Sequence, residues 1–261
     1  MTTDVEAIDA ALQHRAERGR FPWWLVVMLA IIGWLGSLVF FDERFTDART
    51  FILPGLVITI RATLFAFALA VVIGLVAGLG RISRFTPVRH LCITYVEFIR
   101  GVPILVLILM VAFVVIPPIF EAVGLANRLS FEMRAVLSLA LIYGGYIAEV
   151  FRAGIESVPP GQAEAGRSLG LTQGKTMRYI VLPQAIRNVL PALGNDFISM
   201  LKDSSLLTLL GVGEITHKSR LYSGSSFKYP EAFLTITFLY LCMTLVLSLV
   251  VRAVSRRLDR G

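Results

Sequence analysis

The chain has 261 residues, 56% of them hydrophobic and only 16% charged, with a mean hydropathy of +0.74. Soluble domains carry about 25% charged residues, so this balance excludes an ordinary water-soluble domain and points to a membrane. A net charge of +7 and a pI near 9.8 do not imply nucleic acid, because the basic residues flank the apolar runs instead of forming one patch.

Residues 1–21 are charged and Ala-rich, and read as a short cytoplasmic tail, not a secretory leader. Trp23 and Trp24 suit the membrane interface. Phe21–Phe41 is the first of four runs of 19 to 21 residues without Asp, Glu, Lys or Arg. The others are Ala62–Gly80, Gly101–Phe120 and Ala232–Val251. Roughly 20 apolar residues suffice for a helix to cross the hydrocarbon core. The second run places Ala66, Ala70, Gly74 and Gly78 at every fourth position, a face where another helix backbone can approach. Arg81, Arg84 and Arg89 follow it and are assigned to the cytoplasmic side. Pro103, Pro117 and Pro118 bound the third run. Two weaker spans complete the set. Met133–Phe151 is interrupted by Glu149, and about Ile186–Leu210 by Arg187, Asp196, Lys202 and Asp203.

The expected fold is an all-α membrane protein with about six transmembrane helices. Residues 22–41 form the first helix, 54–252 the main transmembrane domain and 253–261 a cytoplasmic tail. With both termini inside, 15 of the 25 Lys and Arg residues fall in the cytoplasm and seven outside, as the positive-inside rule requires. Cys92, Cys242 and the three histidines are too scattered for a disulfide or metal framework, and no cofactor is expected in this chain.

The longest non-apolar inside segment is about 153–184. It contains Gly170–Thr176, GLTQGKT, which superficially resembles a phosphate-binding loop. That loop needs Gly, four residues, then Gly-Lys-Ser/Thr after a strand. Here Leu169 occupies the first glycine's place, and the preceding GQAEAGRS is polar and helix-like. The nucleotide reading fails. Instead, Gln162–Leu169 reads as a short helix and Gly170 as its break. A second helical pattern runs from Leu171 or Thr172 to Leu182, with Pro183 ending it. Two short helices around a glycine form a knob that fits a groove on another protein; the alternative is a segment lying among lipid headgroups.

The same segment carries Glu164-Ala165-Gly166, three residues, Gly170, nine residues, Ile180, one residue and Leu182-Pro183. This resembles the EAA signature of ABC importer permeases, with Gly166 replacing the second Ala. Further blocks, FIRGVP at Phe98–Pro103, YIAE at Tyr146–Glu149 and KDSSL at Lys202–Leu206, resemble the polar amino acid branch. The resemblance runs from about Leu56 to Arg252. It implies a type I importer permease fold with an added first helix, and a separate subunit that holds ATP and Mg. Implied partners are two copies of that ATP-binding subunit, a second permease subunit and an extracytoplasmic amino-acid-binding protein. Glu164, Ala165, Gly166, Gly170, Ile180, Leu182 and Pro183 would then form the coupling element.

Ionisable groups within spans are costly and mark pairs or pathways. Glu97 and Arg100, like Glu149 and Arg152, stand three apart and can pair along one helix face; a gate or substrate contacts are the alternatives. Lys202 and Asp203 are adjacent, about 100° apart around a helix, so they do not face each other. With Ser204 they are the candidates for the substrate path, Lys202 for an amino acid's carboxylate and Asp203 for its ammonium. Pairing with other helices is the competing role. A gradient-driven transporter should show inverted repeats, and an intramembrane enzyme a nucleophile–base or metal constellation; the sequence displays neither.

Overall fold

The computed structural model describes residues 23–125 and 129–258. The 1–21 tail and the last three residues of the 253–261 tail lie outside them. Helix α1 spans Trp23–Phe41. A 3-10 turn at Glu43–Phe45 and the short helix α2, Thr46–Ile52, lead into α3, Gly55–Arg81. Helix α4, Thr86–Gly101, follows a tight turn. After a break at Val102 and Pro103, α5 (Ile104–Met110) continues through a π turn at Val111–Val115 into α6, Ile116–Ala122. Helix α7 is Phe131–Glu156, capped by Ser130, whose hydroxyl accepts from the Met133 amide at 3.1 Å. The knob contains α8, Pro160–Ser168, and α9, Gln173–Thr176. A second π turn, Met177–Val181, joins α10, Leu182–Asp203. A 3-10 segment Ser204–Leu210, α11 at Ile215–Ser226 and α12 at Tyr229–Leu258 complete the order.

Among the described residues, five segments are long and apolar enough to cross a membrane: Trp23–Phe41, Glu43–Arg81, Ile104–Ala122, Phe131–Glu156 and Tyr229–Leu258. Helix α10 is too polar to join them. Its 22 residues nevertheless measure ~33 Å, enough to span the core, and it packs between α7 and α12. The multi-pass architecture therefore holds, with its sixth helix polar because it lines a cavity.

The core is the α3–α7 contact. The small stripe of α3 makes it possible: Ala66, Ala70, Gly74 and Gly78 are all buried. A Cβ on Gly74 would stand 2.5 Å from Ile147 Cγ2, and one on Gly78 2.9 Å from the Ala148 carbonyl oxygen. Behind the stripe, Leu107, Ile108, Leu139, Ile142 and Met200 are fully buried. The face was legible as a period of four; its partner helix was not.

Helix α4 packs along α7 through Val96 and Ile99. Pro117 and Pro118 do not end the third span, nor does Pro183 end the knob's second helix. In both places a π turn ends two residues before the proline, with Ile116 N bonding Val111 O and Leu182 N bonding Met177 O. Proline lacks a donor and its ring crowds the carbonyl four residues back. The wider π turn moves that carbonyl aside, so the helix passes through the proline.

Candidate functional site: a docking knob and a charged cavity

The knob begins where Val158 and Pro159 turn the chain out of α7 and Pro160 opens α8. Proline suits a first helical position because its missing N–H is unneeded there. Gly170 ends α8 with φ +81°, a conformation that a side chain disfavours. Its amide bonds Arg167 O, and the Leu171 amide bonds Gly166 O at 3.1 Å. The reversed chain then lays Thr176 and Ile180 over Gly166. A Cβ there would stand 2.6 Å from Ile180 Cδ1 and 3.1 Å from Thr176 Cγ2. The glycine that departs from the signature is thus the point of closest approach within the knob, and Ile180 fills its space.

Glu164, Ala165, Arg167, Ser168 and Leu169 remain exposed on α8, as do Lys175, Arg178 and Tyr179 across from them. Leu182 and Pro183 are exposed too. Leu169 is 83% exposed and Tyr179 64% exposed, large apolar groups displayed beside charged ones. The knob is tied back to the bundle by three side-chain bonds. Arg84 donates to Gln173 Oε1 at 2.6 Å, Asn188 to Ser157 Oγ at 2.8 Å and Gln184 to Gln162 Oε1 at 3.4 Å. Val158, Val181 and Ala185 form a small apolar core beneath it. Lys175 lies exposed on the four-residue helix α9, away from any strand.

The second feature is a cavity of about 540 Å³ at the α4–α5 break. Val102 (φ −115°, ψ 138°) and Pro103 (φ −56°, ψ 137°) are extended, so the chain unwinds between two helices. Arg100, the last side chain before the break, lines this space with Tyr143 and Tyr146 of α7 and Asp196, Ser199 and Asp203 of α10. Tyr143 donates its hydroxyl to Asp203 Oδ2 at 2.7 Å. The Asp196 Oδ2 is buried and has no hydrogen-bond partner. The wall therefore holds one fixed cation, two carboxylates, and one carboxylate oxygen whose burial cost is uncompensated.

The structure redistributes the charges picked out from sequence. Glu149 pairs with Arg152 along α7, and also with Arg81 of α3. Glu97 turns to Arg81 at 3.5 Å instead of Arg100. Arg81, only 11% exposed, thereby ties α3, α4 and α7 together at the knob's end of the bundle. Arg152 reaches Glu156 as well. Released from Glu97, Arg100 faces the cavity. Asp203 lines the cavity, whereas Lys202 is exposed and is not among its lining residues. Ser204 is buried, and its hydroxyl donates to Leu201 O at 2.7 Å. The sequence offers Arg100 first to Glu97, with a gate or substrate contact as the alternative, and marks Asp196 only as an interruption of its span. The Gly101-Val102-Pro103 run directly after Arg100 was the available signal, since glycine and proline interrupt helices where a cavity needs open backbone.

The model for the family described as "Binding-protein-dependent transport system inner membrane component" matches residues 70–260. The glutamine transport system permease protein GlnP of Escherichia coli (strain K12) is 34% identical over 207 residues, 79% of this chain and 92% of the relative. The arginine transport system permease protein ArtQ of Bacillus subtilis (strain 168) is 31% identical over 212 residues, 80% of this chain and 92% of that one. A crystal structure of an amino acid ABC transporter with histidines superposes with a TM-score of 0.73 at 35% identity. The match covers 81% of this chain and 95% of the other. The chain belongs to the family of binding-protein-dependent transport system inner membrane components: it is a multi-pass membrane permease subunit, not an enzyme.

Proposed function

We propose that this chain is the membrane subunit of an ATP-driven importer of a polar amino acid, coupled through the loop at about 153–184 to a separate ATPase. The ATPase, in two copies, holds ATP and Mg. A second permease subunit, identical or related, and an extracytoplasmic amino-acid-binding protein complete the assembly. Support comes from relatives named for glutamine and arginine transport and from the knob's display of Glu164, Leu169 and Tyr179.

The observation that carries the substrate class is the cavity's charge pattern. An amino acid zwitterion needs a cation for its carboxylate and an anion for its ammonium, and Arg100 stands opposite Asp196 and Asp203 there. Arginine presents a planar fork matched to a carboxylate. The unpaired Asp196 Oδ2 and the Tyr143-held Asp203 are the acceptors for the ammonium. Lys202, exposed on the adjoining face, belongs to the path between the two permease subunits, next to Ser204.

Arg100→Met and Asp203→Asn test this. Each substitution leaves one charge of the bound zwitterion without its counterpart, so each variant should lose about tenfold or more of uptake while the purified complex still assembles and docks its binding protein. Normal uptake by both variants removes the substrate assignment. Failed assembly assigns the pair a structural role instead.

A further inference from the structure

At the end of the bundle remote from the knob, Arg61 of α3 and Glu132 of α7 form an ion pair on the outer surface. Their side chains are 53% and 39% exposed, and neither joins the charged cavity. An exposed pair of this kind contributes little to folding, so its position asks for another explanation.

Depth supplies part of it. The 27 residues of α3 make a rod of ~40 Å against a hydrocarbon core of ~30 Å. About 5 Å at each end therefore reaches the headgroup layer. Arg61, ~9 Å from the start of α3, sits just below that boundary, where its long stem can lift the guanidinium to the headgroups. Glu132 is the second residue of α7, at the same level.

Two apolar hollows adjoin the pair. One, of about 470 Å³, runs between Phe65 and Leu69 of α3 and Met133, Val136 and Leu137 of α7. The other, of about 560 Å³, lies along one face of α3, from Val57 and Ile60 beside Arg61 to Leu64 and Ala68. Arg61 and Phe65 border both. The charged pair thus adjoins two neighbouring apolar hollows that share Phe65, room for a lipid with two acyl chains. The carboxylate restricts the headgroup. Arg61 alone would accept any phosphate, but Glu132 beside it repels a headgroup that is only anionic.

We propose that this face binds a diacyl phospholipid whose headgroup carries a phosphate and a primary ammonium. The phosphate takes Arg61, the ammonium donates to Glu132, and one chain fills each hollow. The exposed Arg61–Glu132 pair opens to receive the headgroup, and both charges regain partners. A quaternary ammonium lacks the N–H donors that Glu132 would accept, so a choline headgroup fits less well.

Native mass spectrometry of the full chain, purified from its own membrane with its bound partners, tests the site. Phosphatidylethanolamine, phosphatidylcholine and phosphatidylglycerol of identical acyl chains are the probes. The wild type should retain phosphatidylethanolamine several-fold better than the other two. Arg61→Ala should lose retention of all three, and Glu132→Gln should keep binding but lose the preference. Ala68→Trp, an exposed position that leaves both charges in place, should block one hollow and reduce retention. Equal retention of the three lipids by the wild type, or unchanged retention after Arg61→Ala and Ala68→Trp, overturns the proposal. So does efficient crosslinking of Phe65→Cys to a second permease subunit, which would show this face covered by protein.

Discussion

At Glu214 a carboxylate is fully buried where α11 begins. Its Oε2 accepts from the Thr216 amide at 2.7 Å and its Oε1 from the His217 amide at 2.6 Å, while the Tyr240 hydroxyl donates at 3.4 Å. The following Ile215 amide donates to Thr59 Oγ1 of α3 at 3.3 Å. Burial raises the Glu214 pKa from 4.5 to about 7, against the pull of these donors. Between those values the folded chain holds a proton that the unfolded chain releases, so this group's contribution to stability falls as pH rises through that window and recovers as pH falls. Glu214→Gln keeps an acceptor but cannot titrate. The thermal midpoint of the wild type minus that of Glu214→Gln should therefore rise between pH 7.5 and pH 5. A constant difference across that range contradicts the buried-acid account. Arg100 teaches a related lesson about legibility. Its i,i+3 neighbour Glu97 offered the nearest partner in sequence, but Arg81 claims Glu97 from another helix. The carboxylates that share the cavity with Arg100 lie some hundred residues away on α10, and no local spacing encodes that meeting.

At the level of elements, the knob was readable because its signature is contiguous: a glutamate and small residues on one short helix, a glycine turn, then apolar positions that fold back. What escaped was the continuation through Pro183, since nothing in a proline's flanks announces a π turn. Gly170 sits at φ +81° with open space around it, so its conformation, not its size, is what matters. Proline fixes φ near −65°. Gly170→Pro should disturb the knob without touching the bundle, and Glu164→Lys should invert the charge on its exposed face. In both variants insertion should persist while ATP hydrolysis by the partner no longer drives uptake. Wild-type transport by both would remove the coupling role. The α3–α7 contact gives a test of packing in the same terms. Gly74→Ala brings a methyl against Ile147 and within 3.1 Å of the Ala148 amide nitrogen, and overpacking of this kind costs about 1–3 kcal/mol. Gly33 of α1 has nothing within 4 Å of such a methyl. Thermal unfolding of the purified chain should show Gly74→Ala destabilised and Gly33→Ala unchanged or more stable; equal midpoints would mean that the helices separate freely.

For the whole molecule, the division of labour follows from where polarity is spent. Apolar helices α1, α3, α5–α6, α7 and α12 anchor the chain in lipid. The polar α10 joins the charged cavity at one end to the π turn of the knob at the other. A tilt of the knob would reach Asp196 and Asp203 along this helix, which contains Pro191. Hydropathy made the anchors legible; it undercounted α10 because that helix carries the polar wall. In the proposed function, this chain moves an amino acid only when a separate ATPase engages its knob. The direct measurement is uptake of labelled amino acids into proteoliposomes holding this chain with its ATPase, second permease subunit and binding protein. ATP is supplied on the knob side, and ion gradients are collapsed. The account predicts uptake that requires ATP hydrolysis and disappears when the ATPase is omitted. Uptake that proceeds without the ATPase, driven by an imposed ion gradient, would contradict it.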